Sequence, residues 1–511
     1  MEGPERGKLR QHSQWIGLLV APILAVLVHA ALPDAYRDAT GAEIPIHSGM
    51  RATAAIAVWM AIWWMTEAIP LYATALLPLA LFPATGAASM RDAASPYAHE
   101  LIFLFMGGFI LALSMQRWGL DRRISLMALR VVGSRPNAIV GGFMAVTAAM
   151  SMWVSNTATA VMMLPIAIGV IELVEGNGRA EPENAAAPSS AFATCLLLGI
   201  AYAASIGGVG TIIGTPPNLF LVSYAKSNLG IEISFVRWMA IGLPLVFLFL
   251  PVAWLLLTRF LFPVSGEPVE GGHRHIEALL RELGPVKRGE WITLVVFAVT
   301  AVTWISRPWL VELRLGGLHP FAGLTDPGVA IMAALALFVI PVDASRRIFA
   351  MDWETANKLP WGLLLLFGGG LSLAAAIRAN GLGEYIGHSV GFLGGVPTFL
   401  VVGALATLII FLTELTSNTA TTATFVPILA SLAPAFDTQP LLLVVPAAIA
   451  ASCAFMLPVA TPPNAVVFGS GRIRLPDMCR AGIWLNFIGI LIITLLCYWL
   501  TLPLLGVEPG G

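Results

Sequence analysis

Charge is what this sequence has least of. Asp, Glu, Lys and Arg make up 11% of its 511 residues, against about a quarter in ordinary soluble domains. So few charged groups cannot hydrate the surface of a chain this long, and much of that surface must face lipid. Neither sign is in excess: 28 Lys and Arg face 29 Asp and Glu, for a formal net charge of −1. That removes the electrostatic basis for binding nucleic acid. Cysteine is also scarce. Cys195, Cys453, Cys479 and Cys497 are scattered without metal or redox spacing and read as small buried hydrophobes. Apolar residues fill the gap at 58%, giving a mean hydropathy of +0.83. The chain reads as an all-α polytopic membrane protein.

Apolar runs near the length needed to cross a bilayer recur along the chain. They cover 15–32, 52–69, 74–87, 138–154, 161–173, 191–213, 241–261 and 291–305, then 329–342, 398–415, 424–435, 441–459 and 483–505. Several are too short or too broken to span alone, and about 11 transmembrane segments are expected. The run at 15–32 follows Arg6, Lys8 and Arg10 without a small-residue cleavage site, so it reads as a retained first span rather than a signal peptide. Residues 34–47, 172–190 and 264–290 read as polar connections, the last with a short amphipathic helix at 276–283. His273 and His275 in that stretch are expected to be solvated.

The chain is duplicated. Residues 101–125 align without a gap onto 363–387 at an offset of 262, with ten of 25 positions identical. The same offset carries Ser155-Asn156-Thr157-Ala158-Thr159 onto Ser417-Asn418-Thr419-Ala420-Thr421, and Pro165 onto Pro427. A further pair, Gly214-Thr-Pro-Pro-Asn218 and Ala460-Thr-Pro-Pro-Asn464, is offset by 246, the difference being absorbed by the linker at 172–190. Between 117 and 135 the first copy holds Arg117, Arg122, Arg123, Arg130 and Arg135, whereas 379–397 has no Lys or Arg. The positive-inside rule puts the first loop in the cytoplasm and its counterpart outside. Inverted repeats of this kind build many secondary transporters.

Polar groups in hydrocarbon are tolerated where they line a cavity or bind something. One Ser or Thr in a span is ordinarily a back-bonded contact, and one Pro a kink; two motifs repeated at matched positions argue against that. A helix broken at each Ser-Asn-Thr presents carbonyls, which suit small cations, and N–H groups, which suit anions. Thr-Pro-Pro-Asn makes a second break, because consecutive prolines remove two donors, and Gly214 or Ala460 lets the backbone approach closely. The motif regions hold no Lys or Arg, so a bound anion would rely on amides, hydroxyls, helix termini and cations. Glu67 and Glu414 are open between two roles, ion site or partner of nearby backbone and polar groups, with the second favoured. The many G-x-x-x-G spacings read as packing.

With these motifs the sequence resembles the divalent anion/sodium symporter family, from WWMTEAIP at 63–70 through both Thr-Pro-Pro-Asn segments. The resemblance implies a homodimer with scaffold and transport domains and elevator-type movement. It implies a first transmembrane helix and loop at 1–50, repeat 1 at 51–262, a soluble amphipathic linker at 263–290 and repeat 2 at 291–511. Each repeat would carry a re-entrant hairpin, about 97–116 and 360–377, and a helix broken at 155–157 or 417–419. At least two sodium ions are implied, one at Ser151, Ser155, Asn156 and the Gly214 carbonyl. The other would lie at Thr413, Ser417, Asn418 and the Ala460 carbonyl. Substrate carboxylates would contact Ser155, Asn156 and Thr157 on one side and Ser417, Asn418 and Thr419 on the other, with Thr215, Thr461 and Pro462 completing the pocket. The expected activity is sodium-coupled symport of succinate, malate or fumarate across the cytoplasmic membrane, with a cytoplasmic N-terminus. A sodium-independent dicarboxylate or citrate exchanger and a sodium/sulfate symporter stand as alternatives. An intramembrane enzyme is disfavoured because no nucleophile–base pair or metal cluster is visible, and a channel because closed cation sites suit occlusion.

Overall fold

The computed structural model describes residues 4–37, 42–176, 190–264, 272–314, 318–389 and 395–505. The chain opens with helices Pro4–Ala31 (α1), Ser48–Thr66 (α2), Leu71–Thr74 (α3), Leu77–Thr85 (α4) and Met90–Ala94 (α5). It continues through Glu100–Trp118 (α6), Leu120–Leu129 (α7), Pro136–Ser151 (α8), Asn156–Gly176 (α9), Ala191–Gly208 (α10), Pro216–Tyr224 (α11) and Phe235–Leu255 (α12). Gly272–Glu282 (α13) links it to Arg288–Glu312 (α14), Asp326–Val339 (α15), Trp353–Ala356 (α16), Trp361–Ala379 (α17) and Leu382–Ser389 (α18). The last third holds Thr398–Thr413 (α19), Asn418–Leu432 (α20), Pro440–Ala451 (α21), Pro462–Phe468 (α22) and Leu475–Leu505 (α23). Two small antiparallel strand pairs complete the described residues, one of them, Ala35–Arg37 with Glu43–Pro45, inside the expected polar loop.

Among the described residues nine helical segments are long and apolar enough to cross a membrane. Their environments differ sharply. The α10 span is 94% buried, while those of α1 and α14 are 17% buried and turn Trp15, Leu19, Ile23, Trp291, Val299 and Trp309 outward. Such unbroken apolar faces are tolerable only against lipid. The centre of the molecule is instead α10 and α21, whose residues are buried almost throughout.

Where the hairpins sit differs from the sequence expectation. Residues 100–118 and 361–379 each form one unbroken helix, not a hairpin at 97–116 or 360–377. Their paired glycines serve packing, not turning. A Cβ on Gly107 would lie 2.6 Å from the Ala330 backbone, and one on Gly369 2.4 Å from the Ala75 carbonyl oxygen. Small residues there let helices approach closely. The hairpin is made by α8 and α9. Ile139 and Phe143, early in α8, share one crevice with Val170, late in α9, and with Ile276 of α13. The chain therefore returns to the side it entered from, and residues 152–155 form the tip. In the second copy α18, which precedes α19, lies against the end of α20, with Gly387 backed onto the Ser431 carbonyl. Ser-Asn-Thr thus marks a hairpin tip rather than a break in a through-going helix.

The linker contributes at the base of the first hairpin. Of the expected connection at 172–190, residues 172–176 extend α9, Ser190 caps α10 by accepting from Ala193 N at 3.1 Å, and 177–189 lie outside the described residues. The expected amphipathic helix is α13. His275 is packed rather than solvated, because its Nε2 approaches Gly169 of α9 so closely that a Cβ there would be 2.3 Å away; the side chain of His273 lies outside the described residues. A buried ion pair fixes this corner: Arg123 of α7 donates to Glu290 of α14 at 2.9 and 3.2 Å and to the Gly284 carbonyl at 3.0 Å. With its remaining donors on backbone oxygens, the pair meets the condition for tolerating buried charge.

Backbone packs closely on backbone between α8 and α10. A Cβ on Gly207 would be 2.3 Å from the Ala148 carbonyl oxygen, and backbone cannot swing aside as a side chain can. Gly207→Ala is expected to destabilise the protein by about 1–3 kcal/mol through overpacking, read as a lower thermal midpoint of detergent-solubilised protein. An unchanged midpoint would mean that the hairpin arm and α10 stand further apart than described.

Candidate functional site

Each hairpin tip meets a helix break. Between α10 and α11 the chain unwinds over 209–215, and between α21 and α22 over 452–461. The prolines of Thr-Pro-Pro-Asn open α11 and α22 at their first positions, where a missing N–H costs nothing. The copies interlock: α9 packs on α22, and α20 on α11. Each tip therefore faces a break of its own copy while its second arm packs against the other copy.

The first tip gathers oxygens. One end of the Asn156 carboxamide lies 2.6 Å from Ser151 Oγ and 3.2 Å from the carbonyl oxygens of both Gly214 and Ala204. Ser151 Oγ also donates to the Ala204 carbonyl at 2.7 Å. If Nδ2 is turned inward, its two hydrogens confront three oxygens. If Oδ1 is turned inward, four oxygens converge with one hydroxyl proton among them, a set that suits a small cation. Gly214 has to be glycine here, since a Cβ would lie 2.3 Å from the Gly208 carbonyl oxygen. The second tip repeats the pattern. Thr413 Oγ1 donates to Asn418 Oδ1 at 2.7 Å and is 3.0 Å from the Ala451 carbonyl, so two acceptors compete for one proton. The hydrogen bonds among the described residues do not join Asn418 to Ala460.

The remaining expected residues surround these clusters. Ser155 ends the first tip, its Oγ accepting from Ala158 N at 3.3 Å, and Ser417 stands at the N-cap position of α20 without a side-chain cap bond. Ser155, Asn156, Thr157, Ser417 and Asn418 are half-buried, Pro462 is exposed, and Thr419 is buried. Thr215 and Thr461 are each 3% exposed at the N-caps of α11 and α22, and Thr461 Oγ1 accepts from Asn464 N at 3.3 Å.

Several residues escaped the sequence reading. Ala204 and Ala451 act through backbone carbonyls, which leave no trace in residue type. Asn218 and Asn464 were visible as motif members without a role. Glu414 resolves toward the favoured alternative: it is 3% exposed and accepts from Phe455 N at 2.7 Å, Met456 N at 2.9 and 3.1 Å, Leu457 N at 3.1 Å and Asn486 Nδ2 at 2.8 Å. It clasps the second break to the second tip. The first copy has Met152 at the matching position, and its backbone carbonyl accepts from Thr211 Oγ1. Glu67 caps α2 in the left-handed region, with φ of 48°. Among the described residues no group of three or more His, Cys, Asp or Glu is placed to hold a metal.

Residues 15–505 match the family described as the sodium:sulfate symporter transmembrane region. The chain is 41% identical over 503 residues to the sodium-dependent dicarboxylate transporter SdcS of Staphylococcus saprophyticus, covering 97% of this chain and 93% of that one. To the protein of the same name from Staphylococcus aureus strain USA300 it is 40% identical, covering 97% and 92%. Among solved structures, the fold is similar to the YdaH transporter of Alcanivorax borkumensis, with a TM-score of 0.56, 15% identity and coverage of 97% and 99%. It is also similar to MtrF of Neisseria gonorrhoeae, with a TM-score of 0.59, 13% identity and coverage of 96% and 94%. The match over nearly the whole chain leads to one conclusion: this protein belongs to the sodium:sulfate symporter family.

Proposed function

We propose that the protein is a secondary transporter that carries a small dicarboxylate, such as succinate, malate or fumarate, together with sodium. The observation that carries this reading is the convergence of oxygens at Asn156: with Oδ1 turned inward, it meets Ser151 Oγ and the carbonyls of Gly214 and Ala204, a set that suits a small hard cation. One sodium ion takes Ser151, Ser155, Asn156 and the Gly214 carbonyl; a second takes Thr413, Ser417, Asn418 and the Ala460 carbonyl. Two facing Ser-Asn-Thr tips suit a ligand with two carboxylates. One carboxylate meets Ser155, Asn156, Thr157 and Thr215, and the other meets Ser417, Asn418, Thr419, Thr461 and Pro462. The N-termini of α9 and α20 add their dipoles. Since these positions include no Lys or Arg, the ions supply the charge that holds the anion, so substrate binds well only after sodium. The relatives named sodium-dependent dicarboxylate transporters support this choice of ion and substrate.

In the same reading the two copies are inverted repeats in the cytoplasmic membrane of the cell, with the arginine-rich loop and the N-terminus inside. The Ser-Asn-Thr tips are those of re-entrant hairpins. The protein works as a homodimer in which a transport domain moves against a scaffold.

The test is uptake of labelled succinate into proteoliposomes under an inward sodium gradient, with potassium as control. A sodium gradient is expected to raise the initial rate at least about tenfold, as obligatory coupling of anion to cation binding requires. Uptake indifferent to sodium would sink the symport reading in favour of exchange. Competition by malate, fumarate, citrate and sulfate assigns the anion, and sulfate displacing succinate would overturn the dicarboxylate assignment.

A further inference from the structure

Asn218 and Asn464, the last residues of the two Thr-Pro-Pro-Asn segments, are wholly buried. Each spends its amide hydrogens on the unwound backbone behind it. Asn218 Nδ2 donates to the carbonyls of Thr211 at 2.8 Å, Gly208 at 3.1 Å and Val209 at 3.2 Å. Asn464 Nδ2 donates to those of Leu457 at 3.0 Å and Ala454 at 3.3 Å. The separations of seven and ten residues recur in both copies. The segments being held do not: 208–214 reads GVGTIIG and 454–460 reads AFMLPVA, with no identical position. What the duplication has kept is a contact to backbone, made by the same side chain on different sequences.

We infer that Asn218 and Asn464 are positioning residues that aim the carbonyls of Gly214 and Ala460 at the two cation sites. The linkage is short. Gly214 N donates to the Thr211 carbonyl at 3.4 Å, and Ala460 N to the Leu457 carbonyl at 3.2 Å. In each copy the asparagine therefore grips the very carbonyl that anchors the N–H of the cation-facing residue. Unwound backbone in a low-dielectric interior leaves carbonyls that need donors. The two prolines before each asparagine offer no N–H, so the first available side chain takes over. The donor half of the amide is the part in use, because Oδ1 of both asparagines is buried without a hydrogen-bond partner. Neither side chain is a ligand. Each acts through the peptide it holds.

This inference rests on the sodium reading of the two sites, and its test separates the two. Initial uptake rates are measured in proteoliposomes against sodium concentration for wild type, Asn218→Ala, Asn464→Ala and the corresponding Asp variants. Loss of two or three hydrogen bonds behind a ligand is expected to raise the half-saturating sodium concentration about tenfold, with the maximal rate largely recovered at high sodium. Aspartate presents acceptors to carbonyls and should shift it further than alanine. Aspartate shifting it less, or alanine lowering the maximal rate at unchanged half-saturation, would overturn the positioning role. Wild-type uptake without sodium dependence would instead overturn the function. Should the alanine variants fail to assemble, Asn218→Ser and Asn464→Ser are compared by the sodium concentration that stabilises detergent-solubilised protein against heat. A shift to higher sodium supports the inference, and no shift refutes it.

Discussion

Asn156→Ala or Asn418→Ala protein is expected to lose sodium-driven succinate uptake by about a hundredfold or more. Each asparagine opens the second arm of a hairpin and is joined to the last residue of the first arm, Ser151 or Thr413. The Asn156 carboxamide therefore touches both the tip and the facing break and the Asn418 carboxamide the tip, and in the proposed function each meets an ion and a carboxylate. Contacts to charged groups contribute about 1.5–3 kcal/mol each, and losing one to the ion and one to the anion multiplies to that range. The two variants need not be equal: Asn156 also reaches the Gly214 and Ala204 carbonyls, so the first tip should lose more order with it. Purified variants should remain monodisperse, because both side chains are half-buried at a site rather than in the core. Wild-type-like uptake by both would refute the assignment of the sites.

Glu414→Ala carries the largest expected cost in stability. The carboxylate is the common acceptor for three consecutive backbone N–H groups, those of Phe455, Met456 and Leu457, and for Asn486 of α23. Alanine leaves four donors without a partner, those of Phe455 and Asn486 buried and those of Met456 and Leu457 half-buried, a loss of about 3–5 kcal/mol by analogy with breaking a buried charged network. Glu414→Gln keeps the shape but turns an NH2 group toward N–H donors, so it should fall between alanine and wild type. Thermal unfolding in detergent reads the ranking, and uptake should follow it, because Leu457 is also the residue whose carbonyl Asn464 and Ala460 share. Equal midpoints for alanine and wild type would show that the clasp does not hold the break. The first copy, with Met152 at the matching position, braces its own break differently: Thr211 Oγ1 donates to the Met152 carbonyl, and Trp238 Nε1 to the Val209 carbonyl at 2.9 Å.

Much of the architecture was legible from the residues. Low charge and long apolar runs require lipid-facing helices whatever their arrangement, because hydration cannot otherwise be met. The gapless offset of 262 determined that α6 and α17, α8 and α19, and α9 and α20 are counterparts. Motif duplication picked out Asn156, Asn418, Gly214 and their neighbours, since polar residues kept twice in apolar surroundings need a reason. Two things could not be read this way. Paired glycines are compatible with a turn and with close helix packing, and only the contacts of Gly107 with Ala330 and of Gly369 with Ala75 decide for packing. A helix broken at Ser-Asn-Thr and a hairpin turning there have the same local sequence. The choice between them is made at the end of the arms away from the tip, where Ile139 of α8 and Val170 of α9 line one crevice. Backbone carbonyls such as those of Ala204 and Ala451 carry no residue signature at all. The sequence by itself determined which residues are polar where polarity is expensive. Tertiary structure decided what those residues face, because the direction of a carbonyl is set by packing rather than by the side chain attached to it.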